Sequence, residues 1–210
     1  MNEASWIAVG LFTLAAPLDW WAVGTRNKAV EYVTKPLALV ALVVFAAVAD
    51  ASIESLRVWW VAALVLSLAG DVFLMLPRDL FLFGLTSFLF AHLAYVVGFV
   101  SETTFEIPVA VPAAGLAVIA AALLRRMLAG PGMDPKLRAP VVFYVVVITA
   151  MAACAIATAS LLPAIGALFF MGSDALIGWR RFIGEQRWMP VAIIVLYHLG
   201  QLGLTLLLVV

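Results

Sequence analysis

The sequence predicts an all-α integral membrane protein, a single bundle of eight transmembrane helices. Three observations predict it: an apolar composition spread along the whole chain, eight apolar runs near spanning length, and a one-sided distribution of basic residues. Of 210 residues, 66% are hydrophobic and 11% are charged. A soluble domain would be about half apolar and about 25% charged. Lipid is therefore the solvent to expect around most of the surface. The breaks between runs are short, so residues 1–210 read as one transmembrane domain without a linker. A net charge of zero leaves no basic footprint for nucleic acid.

A spanning helix needs about 20 mostly apolar residues. Charges and Pro/Gly clusters bound runs at roughly 4–23, 35–49, 57–76, 80–100, 107–128, 139–159, 162–179 and 190–209. Met1–Ser5 carries no basic residue and the run from Trp6 is long for a signal sequence, which argues against a cleavable one. The first run ends near Asp19, Trp20 and Trp21, which read as an interfacial belt. The second is short, as if tilted or re-entrant, and begins at Lys35 with Pro36 in the first turn, where a missing N–H is no loss. The third carries Asp71 about five residues, or ~8 Å, inside its end. The fourth holds His92 and Tyr95. The sixth contains Cys154, the single cysteine, read as a small packing residue. In the seventh, Asp174 lies at a depth like that of Asp71, among Gly166, Gly172, Ser173 and Gly178, small residues that permit close approach. The eighth holds Tyr197, His198 and Gln201.

The odd-numbered connections collect Arg26, Lys28, Lys35, Arg78, Arg125, Arg126, Lys136, Arg138, Arg180, Arg181 and Arg187. The even-numbered side has only Arg57, beside Asp50, Glu54, Glu102 and Glu106. Basic residues favour the cytoplasmic side. The expected orientation thus puts the odd connections in the cytoplasm and both termini outside, in a bacterial inner membrane. Lys35 and Arg138, Asp71 and Asp174, and Arg78 and Arg181 all pair at an offset of 103, and His92 pairs with His198 at 106. This pattern suggests two parallel four-helix halves, although basic residues mark cytoplasmic ends in any such chain.

An ionisable side chain inside a spanning helix costs about 2.5–3.5 kcal/mol on insertion scales, so it faces the bundle interior and invites a functional reading. Asp71 and Asp174, on different helices, suit acid–base chemistry if they share a sheltered cavity, where one is protonated and the other ionised. The alternative is that each is neutralised by a base such as Lys35 and fastens helices together. Lys35 itself suits a lipid phosphate, a substrate phosphate or an Asp partner. His92 and His198 are each candidate substrate contacts or plain interhelical hydrogen-bonders. No metal-ligand spacing joins them, and no cofactor, Walker or nucleophile-elbow motif is present. A proton-coupled small transporter using the same Asp and His residues is the competing class.

The strings Thr34-Lys35-Pro36-Leu37, Ser67 to Leu76 around Gly70-Asp71, Phe83 to Tyr95 around His92, and Gly166 to Leu176 around Ser173-Asp174 resemble the YhhN family of multi-span lysoplasmalogenases, across essentially the whole chain. The resemblance implies hydrolysis of the vinyl ether of a lysoplasmalogen to a fatty aldehyde and a glycerophospho-ethanolamine or -choline. It puts Lys35, Asp71, His92, Tyr95, Ser173 and Asp174 on the family's polar positions, with Tyr197, His198 and Gln201 at its polar–aromatic end. The implied roles are catalytic for Asp71 and Asp174 and substrate-binding for Lys35, His92, Tyr95, Ser173, Tyr197, His198 and Gln201. The implied partners are a lysophospholipid substrate and membrane lipid, with no cofactor and no metal. Another lysolipid is the substrate alternative.

Overall fold

The computed structural model describes residues 2–209, so Met1 and Val210 at the ends of the expected domain lie outside the described residues. Eight helices follow one another: α1 (Glu3–Thr25), α2 (Lys28–Val48), α3 (Glu54–Met75), α4 (Phe81–Glu102), α5 (Ala110–Leu128), α6 (Arg138–Ala157), α7 (Leu161–Phe182) and α8 (Met189–Thr205). All eight helical segments are long and apolar enough to cross a bilayer. The outer faces expose large apolar side chains such as Trp6, Ile7, Leu14, Val118, Phe143 and Leu161, a surface suited to hydrocarbon and not to water.

The second span departs from the expected one. Asn27 accepts from the Val30 N–H at 3.3 Å and caps α2, which begins at Lys28, well ahead of Lys35. Lys35 and Pro36 therefore lie in the helix interior, and the 21-residue α2 is neither short nor re-entrant. Counting charges as boundaries misplaced this end because Lys28 and Glu31 pair with each other at 2.8 Å on the first turn and cost the helix little. Asp19 is the other departure: it is fully buried, not interfacial. A two-residue connection, with Arg26 left-handed at φ 57°, turns α1 directly into α2 and brings Asp19 against Thr34.

Arg57, the basic residue on the otherwise acidic side, has a local cause. Its guanidinium donates to the Ala46, Ala47 and Ala49 carbonyls at 2.7–3.2 Å, covering the acceptors that the end of α2 leaves unsatisfied. Consecutive helices other than α4 and α5 pack as hairpins, most closely α1 with α2, α3 with α4 and α7 with α8. The last pair is tight because Gly166, Gly200 and Gly203 face one another; a Cβ on Gly166 would come 2.7 Å from the Leu204 backbone nitrogen. Gly172 plays no such part, its nearest neighbour being an ordinary 3.7 Å away. Trp60, Tyr95, Phe99 and Phe170 fill the centre with edge-on ring contacts. Cys154 is buried among them as a free thiol. The outlier is α5, which buries only Ala120 and Met127, packs on α6 and α7, and barely touches α4.

Candidate active site

The two membrane-depth aspartates stand in different company. Asp71, 1% exposed on α3, has both carboxylate oxygens occupied. Lys35 from α2 approaches Oδ1 at 2.9 Å, and the Tyr197 hydroxyl from α8 donates to Oδ2 at 2.6 Å. Behind Tyr197, Gln201 Nε2 reaches its hydroxyl at 3.5 Å, and Tyr95 from α4 donates to Gln201 Oε1 at 2.8 Å. This is a closed polar chain inside the bundle, and each hydrogen bond in it stands in for water.

Asp174 on α7 is held by one oxygen only. The Tyr144 hydroxyl from α6 donates a short hydrogen bond to Oδ2. His92 Nε2 from α4 lies 3.3 Å from the same oxygen and 3.1 Å from the Tyr144 hydroxyl. Oδ1 makes no hydrogen bond among the described residues, and the carboxyl, 10% exposed, stands on the wall of a crevice between α4, α5, α6 and α7. The crevice is narrow, with a cavity of about 70 Å³. Its other walls are apolar, among them Leu85, Phe88, Leu123, Ile148 and Met171.

The two clusters meet across Phe170, whose ring is 4.7 Å from that of His92 and 5.3 Å from that of Tyr197, edge-on to both. The remaining residues singled out from sequence lie apart from Asp174. Ser173 Oγ donates to the Ile193 carbonyl at 3.0 Å and ties α7 to α8. His198 Nδ1 accepts from Trp20 Nε1 at 3.0 Å, with Phe12 edge-on to the ring, so it faces α1. Among the described residues no group of three or more His, Cys, Asp and Glu is gathered as a metal site would require.

Sequence reasoning missed Tyr144 and misjudged Asp19. Tyr144 sits in the run Val141-Val142-Phe143-Tyr144-Val145, where one aromatic hydroxyl resembles ordinary packing. The available signal was a single buried donor in a helix otherwise without polar groups at that depth. Asp19 accepts from the Thr34 hydroxyl at 2.9 Å, while its Oδ2 has no partner. Its signal was diluted by the neighbouring tryptophans, of which Trp21 is exposed and Trp20 turns inward to His198.

The arrangement has an approximate internal symmetry. Asp71 takes its partners from the second helix of its own half and the fourth helix of the other; Asp174 does likewise with Tyr144 on α6 and His92 on α4. The offset of 103 carries Lys35 onto Arg138, yet Arg138 is exposed at the start of α6 and stays off Asp174.

Two relatives called lysoplasmalogenase, from Mycobacterium bovis (strain ATCC BAA-935 / AF2122/97) and Mycobacterium tuberculosis (strain CDC 1551 / Oshkosh), are each 32% identical to the chain over 162 residues. That alignment covers 71% of this chain and 59% of the relatives, so the chain spans less than two thirds of their length. No solved structure matches the chain. The YhhN family model matches residues 30–208, a stretch that includes both aspartates and every partner they have, and the chain belongs to the YhhN family.

Proposed function

We propose that this protein is a membrane-embedded hydrolase that cleaves the vinyl ether of a lysoplasmalogen to a fatty aldehyde and a glycerophospho-alcohol, with Asp174 as the proton donor. One observation carries the reading: Asp174, anchored through Oδ2, lines an apolar crevice and keeps Oδ1 free of hydrogen bonds among the described residues, whereas both oxygens of Asp71 are taken. The name of the mycobacterial relatives supports the substrate.

Vinyl ether hydrolysis begins with proton transfer to the alkene carbon remote from oxygen. With its proton on Oδ1, Asp174 is an acid whose carbonyl oxygen accepts from Tyr144. Transfer leaves an oxocarbenium ion beside a new carboxylate, which Tyr144 and His92 stabilise through Oδ2. Water attacks the cationic carbon and returns a proton to Oδ1, so the same group serves as acid and then base. The hemiacetal collapses to aldehyde and alcohol. The Asp71–Lys35–Tyr197 cluster, across Phe170, fixes the α2–α3–α8 wall and supplies a constant field at the site. The basic ends of the helices lie in the cytoplasm in this reading, and the membrane is the bacterial inner one.

The test is product analysis on the purified protein in detergent, without a membrane gradient. Aldehyde release from a vinyl ether lysolipid, lowered in Asp174→Asn by roughly 10²–10⁴-fold, is the expected result. Free fatty acid from an ester lysolipid would move the substrate class, and full activity in Asp174→Asn would exclude the mechanism. A protein that only transports has no turnover in detergent.

A further inference from the structure

We propose that the crevice beside Asp174 is a binding site for the single hydrocarbon chain of a lipid that enters from the bilayer between α4 and α5, with Gly178 and Met127 setting the room at its far end. This deepens the functional reading above and rests on it only for the position of the reacting bond.

The lining settles the chemistry of the occupant. Tyr144 and Asp174 are its polar groups, and Tyr144 spends its hydroxyl on Asp174. A head group would find no cation and no spare donor there, so only a hydrocarbon portion fits these walls. The crevice follows the helices from Ala120, Ile148 and Met171 to Met127, Val141 and Phe182. Seven residues separate its ends on α5 and on α6, about 10 Å at 1.5 Å per residue. A narrow slot of that length takes one chain lengthwise.

The route is fixed by what is shut. At the basic end, Met127, Val141 and Phe182 form a small core of their own, with Phe81, Met133 and Leu137 packed on it. The turn before α6 covers that core, Gly132 N–H donating to the Phe182 carbonyl at 3.0 Å. Laterally the α4 and α5 backbones stand apart, and only apolar side chains, Phe81 and Leu85 of α4 against Leu123, Leu124 and Met127 of α5, lie between them. The corresponding seam in the other half, between α8 and α1, is closed: α1 packs along α8, and Trp20 reaches His198 across it. The α4–α5 seam, closed by side chains and not by backbone packing, is therefore the route from the lipid. At its far end Gly178 has no side chain, and a Cβ there would meet Met127 Sδ and Cε at 2.9 Å, so bulk added at 178 is forced into the slot.

The experiment uses the full chain in lipid nanodiscs and a non-hydrolysable alkyl-ether lysophospholipid bearing a diazirine in its chain. Photolysis followed by peptide mapping should place adducts on α5 and α7 around Met127 and Gly178, competed by single-chain but not by two-chain phospholipid. Gly178→Leu should lower that labelling at least ~10-fold, the scale of a few methylenes in a tight apolar pocket. In turnover it should raise the preference for short-chain over long-chain vinyl ether lysolipid by a similar factor. Met127→Ala, which removes bulk without a clash, should shift the preference towards longer chains and guards against a misfolded Gly178→Leu. Adducts confined to the outer faces, or selectivity unmoved in Met127→Ala, would overturn the chain site. Labelling in the crevice without aldehyde release would leave the site standing and remove the activity instead.

Discussion

Replacing Tyr144 by Phe isolates the hydroxyl that anchors Asp174 and leaves the rest of the side chain in place. The ring, 7% exposed and 5.3 Å from that of His92, keeps its packing. What is lost is one donor to Oδ2, on a carboxyl that in the proposed reaction becomes charged as its proton leaves. A hydrogen bond to a charged group contributes about 1.5–3 kcal/mol, and each 1.36 kcal/mol is a factor of ten in rate. The full loss would be about 10- to 150-fold. His92 Nε2 remains 3.3 Å from the same oxygen and takes part of the charge, so we expect the lower part of that range, about 10- to 30-fold. Because the bond strengthens only as charge develops, the fall belongs in kcat with KM little changed. Aldehyde release at several substrate concentrations separates the two. A thermal melt should move by only a few degrees, since one hydrogen bond contributes about 1 kcal/mol net. Activity within ~2-fold of the parent, or a loss wholly in KM, would refute the anchoring argument.

Lys35→Met strands Asp71, 1% exposed, with Tyr197 alone; breaking a buried pair costs about 3–5 kcal/mol, so the melt should fall sharply and recover at least half when Asp71→Asn is added. Gly166→Ala drives a methyl to 2.7 Å from the Leu204 nitrogen, which only separation of α7 and α8 relieves; overpacking of about 1–3 kcal/mol is expected, while Gly10→Ala, with nothing within 4 Å, should melt like the parent. The Arg181 guanidinium, 2.6 Å from exposed Asp79, holds that carboxyl below its ordinary 3.8. The contribution of the pair is present above the ordinary value and is lost as pH falls through the lowered one. Asp79→Asn should therefore leave the melt near neutral pH almost unchanged, and the Asp79 carboxyl signal in an NMR titration should still be ionised at pH 4.

Eight spans and the family were legible in the chain because both are written in features that repeat: runs of about 20 apolar residues, basic residues on alternate connections, and ordered polar strings around Lys35, Asp71, His92 and Asp174. What the sequence hid were partnerships. The beginning of α2 was hidden because Lys28 and Glu31 neutralise each other within one turn, so charges that look like loop lie on helix. Tyr144 was hidden because its hydroxyl becomes informative only when α6 is packed against α4 and α7. The difference between the two aspartates was hidden for the same reason. Both lie in strings of a small residue, Asp and an apolar run, and nothing local to either string says that one will meet a lysine and the other a crevice.

That difference stands out when helices α1–α4 are set beside α5–α8. In each half an aspartate on the third helix is met by the second helix of its own half and the fourth of the other. On α2 the contributing side chain is a long cation that fills one oxygen completely. On α6 it is a tyrosine, six residues deeper than the residue aligned with Lys35, about 9 Å further along the helix, and it shares its oxygen with His92. The first helices of the two sets differ in the same sense. α1 lies against α8 and is pinned there by Trp20, whereas α5, its counterpart, stands off α4. An aspartate with a free oxygen thus coincides with the loosely packed α4–α5 seam proposed as the lipid entry, and a fully engaged aspartate with the seam between α1 and α8 that Trp20 bridges. Either change alone would be idle: an open oxygen behind a sealed seam meets no lipid, and an open seam beside a saturated carboxylate has no proton to give. Their coincidence in one half favours a lipid-fed acid at Asp174 over two equivalent carboxylates relaying protons through the bundle.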